Sequence, residues 1–125
     1  MFNFIQQKRD FNMQDWNNYR DSLLKHVADY AKLAPDTMRG LSSMEAGTSK
    51  IGKLDAKTHE LIALAVAVTT RCDGCIAVHS KKAIEQGVSR EEIAEALSVA
   101  IALNAGAALT YSARVLEAVD SVSQQ

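Results

Sequence analysis

A single proline, Pro35, interrupts the 125 residues. Proline inside a helix removes a hydrogen bond and collides with the preceding turn. A chain almost free of it, rich in Ala, Leu, Glu and Lys and poor in β-branched runs, is open to helix along nearly its whole length. No strand period, repeat or low-complexity tract stands out. The expected fold class is all-α, a single-domain bundle of about six helices. A 13.6 kDa chain can bury about two thirds of its unfolded surface, enough for a core without disulfide or metal staples.

The pattern divides the chain as follows. Residues 1–12 have no sustained period and read as a loose arm. From Asp15 to about Leu33, Trp16, Tyr19, Leu23, Leu24, Val27 and Ala31 recur at helical spacing, and this helix stops before Pro35. Pro35 suits the first turn of a short helix to about Ala46, with Gly47 just past its end and a loop over 47–52. Asp55 is a candidate N-cap for a helix from Ala56 to about Thr70. The second half of that helix, Leu61 to Val68, carries no polar side chain and is expected to be enclosed on nearly all sides. After a turn at Cys72–Cys75 a helix runs to about Gln86 and ends at Gly87. Ser89-Arg90-Glu91-Glu92 is a capping box opening a helix to about Leu103. Asn104-Ala105-Gly106 predicts a break or tight kink before a sixth helix to about Val119. In outline, residues 1–53 form an arm and short helices and residues 54–122 a core, one compact domain overall.

Fourteen basic against fifteen acidic residues give a net charge of -1, and the longest basic run is Lys81-Lys82. Neither nucleic acid nor an acidic membrane surface is an expected partner. The most apolar stretch, Ala96 to Ala113, is broken by Ser98, Asn104, Gly106 and Thr110. It reads as a helix pair buried in the core or between subunits and is weak as a membrane span. Met1 to Gln7 turns polar too soon for a secretory signal, so the expected location is cytoplasmic. In that reducing compartment two cysteines do not form a structural disulfide framework.

The chemistry concentrates in Glu60, Cys72, Cys75 and His79. Two cysteines separated by two residues at a helix start can close a small disulfide ring, and the helix N-terminus stabilises a thiolate there. Such settings bring a thiol pKa from about 8.5 towards 7 or below. Cys75 and His79 are four apart and share a helix face, so His79 can serve as a base for the thiol or as a cation beside the thiolate. Glu60, on the apolar side of the preceding helix, is the candidate far end of a relay Glu60–His79–Cys75. Blander readings compete: half of a zinc site with His79, two inert buried thiols, a Glu60–Lys57 surface pair, or a solvated His79. His26 and His59 have no comparable setting, and the Trp16–Tyr19 stripe reads as packing.

The run from Glu60 to Val68, then Arg71-Cys72-Asp73-Gly74-Cys75-Ile76-Ala77-Val78-His79, then Ala83–Gly87 and Ser89–Ala96, resembles the alkylhydroperoxidase D-like branch of the carboxymuconolactone decarboxylase family. The likeness covers roughly Leu54 to Ala113. It implies an all-helical fold assembling into dimers, trimers or hexamers, and a thiol-dependent peroxidase with a hydroperoxide substrate. It also implies that Cys75 attacks the peroxide and becomes a sulfenic acid, that Cys72 resolves it to a disulfide, and that Glu60 and His79 are the proton relay. An unidentified thiol or dithiol would regenerate the pair, and no cofactor is called for. The best-known alkylhydroperoxidase D has a histidine where this chain has Gly74. That difference keeps open a redox sensor without peroxidase turnover. A lactone decarboxylase is the third reading, although that branch typically lacks the two cysteines.

Overall fold

The computed structural model describes residues 12–124, which contain five α-helices and no strand. The expected arm over residues 1–12 lies, apart from Asn12, outside the described residues. By internal contacts the chain divides into two compact units, Met1–Leu54 and Asp55–Gln125.

In the first unit, α1 (Trp16–Leu33) starts on Asp15, whose carboxylate accepts the Asn18 amide at 3.1 Å. Trp16 and Tyr19 meet edge to face at 6.2 Å, so that stripe is packing. α2 (Pro35–Thr48) begins with Pro35 in its first turn, where the missing amide costs nothing. It continues two residues beyond the expected end at Ala46. Gly47 is therefore helical, and the loop is shorter than predicted. No side chain in α1 or α2 is fully buried.

The second unit is built around α3 (Ala56–Thr70), which packs against both α4 (Asp73–Glu85) and α5 (Arg90–Ser123). Asp55 caps α3 through the Thr58 amide at 2.8 Å. Gly87 closes α4 in the left-handed region, φ 76°, and lets the Val88 amide reach back to the Ala83 carbonyl at 3.0 Å. That turn delivers Val88 into a small core with Leu64 and Ala83, flanked by Leu61 and Ile93. The capping box is complete: Glu92 N–H donates to Ser89 Oγ, and Ser89 N–H donates to Glu92 Oε1, both at 3.0 Å. The same Oε1 accepts Lys57 Nζ at 3.0 Å, tying the start of α5 to the first turn of α3.

Two expectations are corrected. The predicted fifth and sixth helices are one continuous 34-residue α5, so the described chain has five helices where about six were expected. Gly106 lowers helix propensity by only about 1 kcal/mol against alanine, and the alanines around it restore it. Asn104 anchors the helix at this point, donating through Nδ2 to the Ala100 carbonyl at 2.7 Å and to Thr69 Oγ1 of α3 at 3.0 Å. Nor is Leu61–Val68 enclosed: Leu64 and Ala67 are buried, but Ile62 and Val66 stay 49% and 54% exposed within the single chain. Unbroken, α5 is long and apolar enough, by length and composition alone, to cross a membrane.

Candidate active site

The end of α3 and the start of α4 create the site. Arg71 closes α3 with a left-handed backbone, φ 53° and ψ 46°, and the following Cys72 amide bonds back to the Ala67 carbonyl at 3.0 Å. This tight reversal leaves Cys72 as the N-cap of α4. Its Sγ occupies the place a serine or aspartate oxygen usually fills, accepting the Cys75 amide at 3.0 Å. Cys72 and Cys75 are joined as a disulfide with their Cα atoms 5.2 Å apart. Both are half-buried, and the ring sits at the positive end of the α4 dipole, where a thiolate is favoured once the bond is reduced.

One turn beyond Cys75, His79 bonds through Nδ1 to Glu60 Oε2 of α3 at 2.7 Å. The side chains are 29% and 15% exposed, sheltered enough to hold one geometry while the thiols remain reachable. A carboxylate can only accept, so with a neutral imidazole Nδ1 carries the shared proton and Nε2 presents the lone pair. Such a histidine can take a proton from a thiol one turn away and return it, while Glu60 stabilises the imidazolium formed in between.

The four predicted residues fall into two pairs on α3 and α4, the Cys72–Cys75 disulfide and the Glu60–His79 bond, with His79 one helical turn beyond Cys75. Glu60 is paired with His79, and Lys57 goes to Glu92 instead, which replaces the Glu60–Lys57 reading. His26, in the first unit, bonds the Ser22 carbonyl on α1. Among the described residues no three His, Cys, Asp or Glu side chains converge to hold a metal ion. Arg71 is the residue to which sequence reasoning assigned no role. It is the one non-glycine among the described residues with positive φ, a conformation that costs an L-residue roughly 1 kcal/mol or more. Its position just past a helix end, where glycine or asparagine is usual, was the available signal.

A helical unit carrying a redox-capable cysteine pair beside a carboxylate–histidine pair defines the class. Comparison with known proteins makes it specific: the profile of the carboxymuconolactone decarboxylase family matches residues 35–118, and the chain belongs to that family. An uncharacterised protein of Haemophilus influenzae is 48% identical over 104 residues, covering 83% of this chain and 92% of that protein. The crystal structure of an apo carboxymuconolactone decarboxylase family protein from Legionella pneumophila superposes with a TM-score of 0.67 at 37% identity. That match spans 82% of this chain and 91% of that one. A protein from Methanobacterium thermoautotrophicum, 28% identical, gives a TM-score of 0.65 over 71% of this chain and 97% of its own.

Proposed function

We propose that the chain is a thiol-dependent peroxidase of the alkylhydroperoxidase D-like branch, using Cys75 and Cys72 to reduce a hydroperoxide. The observation that carries this reading is the disulfide-bonded pair at the α4 N-terminus with the Glu60–His79 pair one turn further on. In the reduced enzyme His79 removes the Cys75 proton. The Cys75 thiolate attacks the peroxide, the O–O bond breaks, and the departing alkoxide leaves as alcohol after taking a proton. Cys75 is left as a sulfenic acid. Cys72 Sγ then attacks Cys75 Sγ, water departs, and the disulfide seen here is restored. A thiol or dithiol reductant closes the cycle, in keeping with a cytoplasmic homo-oligomer that binds neither nucleic acid nor membrane.

The test follows the reduced protein by thiol titration and intact mass while hydrogen peroxide or an organic hydroperoxide is added. Rapid loss of both thiols with a two-hydrogen mass decrease, repeated over many cycles with a thiol reductant, is the expected result. Cys75→Ser abolishes turnover and Cys72→Ser accumulates oxidised Cys75. Full turnover in Cys75→Ser would overturn the reading. A single oxidation event without turnover would assign a sensor instead.

A further inference from the structure

The reduction half of that cycle needs a thiol whose identity the Cys72–Cys75 pair alone does not specify, and the backbone at Arg71 supplies a criterion. Arg71 is exposed, immediately precedes Cys72, and is the sole non-glycine among the described residues held at positive φ. The turn itself asks for glycine, which takes this conformation freely. If the arginine served only the α3 dipole, a basic residue within the last turn would do so without strain, yet that turn has none. Strain of this kind accumulates where a side chain is used. Arg71 is covalently adjacent to Cys72, so its guanidinium is tethered next to the disulfide, where exposed charges are screened over a Debye length of ~8 Å at physiological ionic strength.

We propose that Arg71 selects the reductant, its fixed positive charge beside the disulfide favouring a thiol that carries a carboxylate. The inference rests on the redox reading above. The reductant thiolate attacks one sulfur of the pair, the Cys72–Cys75 bond breaks, and a mixed disulfide and one cysteine thiolate result. A second reductant thiolate attacks the mixed disulfide, releasing oxidised reductant and the second cysteine thiolate, and both cysteines then take protons from water. Negative charge is spread over three sulfurs in each exchange, so a neighbouring guanidinium assists every thiolate, and an added carboxylate on the reductant gains further. Asp73, exposed in the first turn of α4 on the other side of Cys72, opposes this preference; its place is explained by the α4 dipole.

The experiment measures reduction of the oxidised full-length protein by thioglycolate, 2-mercaptoethanol and cysteamine, with rates expressed per thiolate and corrected for each thiolate's basicity against an uncharged model disulfide. Thioglycolate is expected to exceed the neutral thiol by roughly three- to fivefold and cysteamine to fall below it, the spread collapsing at high salt. Arg71→Lys keeps the preference, Arg71→Gly abolishes it while folding at least as readily, Arg71→Glu inverts it, and Asp73→Asn widens it. A merely structural arginine would alter thermal stability and leave the rate ratios untouched. Equal ratios in wild type and Arg71→Gly overturn the assignment of Arg71 while leaving the redox pair standing. Failure of every thiol to reduce the pair overturns both.

Discussion

Glu60 and His79 are nineteen residues apart in the chain and 2.7 Å apart in space, and at the residue scale this contact distinguishes the site from an ordinary CxxC helix start. Glu60→Gln keeps the shape and can still hydrogen-bond, but it no longer stabilises an imidazolium. Its expected effect is a fall of about 100-fold in the rate of Cys75 oxidation, the lower end of what a positioned acid–base group contributes. Stopped-flow oxidation of the single-cysteine variant Cys72→Ser in both backgrounds reads it. The residue types were legible in advance: Cys72, Cys75 and His79 share a local spacing that a helix start and one helical turn convert directly into geometry. Their partner was legible only as a candidate. Glu60 had a neighbour of opposite charge one turn away in Lys57, and nothing local tells a carboxylate which cation it will face. Packing of α3 against α4 and α5 sends Lys57 to Glu92 and leaves Glu60 to His79.

At the scale of elements, helix boundaries follow capping chemistry where it is strong. Asp15, Asp55 and Ser89 start the helices expected of them, because each side-chain oxygen meets an amide within three residues. Two glycines give opposite predictions. At Gly87 an added Cβ meets nothing within 4 Å, so the cost of Gly87→Ala is that of holding φ 76° alone, about 1 kcal/mol. At Gly106, in the interior of α5 and equally unobstructed, Gly106→Ala is expected to stabilise by about 0.5–1 kcal/mol. Thermal or urea denaturation of the two variants checks both signs. Glu92 adds a pH dependence. The Ser89 amide first, and Lys57 second, hold its carboxyl below the ordinary glutamate value. A lowered native pKa means that the unfolded chain binds the proton more readily, so this stabilisation is complete above the ordinary carboxylate range. It is lost as pH falls through that range to the depressed native value. Denaturation midpoints measured from neutral to acidic pH should show that loss, and Glu92→Gln should flatten it.

For the whole molecule, the weight of exposed apolar surface decides what comes next. Nine large hydrophobic side chains on α5, from Val99 to Val122, are more than half exposed. At about 3.6 residues per turn they project on several sides of α5, not on one face. Beside them lies an open groove of about 340 Å³ lined by Ile62, Val66, Val99 and Leu103. A soluble monomer rarely leaves so many large apolar side chains uncovered. We therefore expect sedimentation in detergent-free buffer to give a dimer or larger assembly, with Leu109→Glu and Leu116→Glu shifting the mass downward. Recovery of the protein only from membranes would instead assign α5 to a bilayer. Composition and spacing alone determined the helical class, the capped starts of α3 and α5, and the cysteine and histidine chemistry, because each depends on groups within about four residues of one another. Tertiary structure decided the rest. The unbroken run of α5 through Gly106, the choice of His79 as the partner of Glu60, and the exposure of an apolar stretch expected to be enclosed all depend on which helices lie alongside, and no local pattern carries that information.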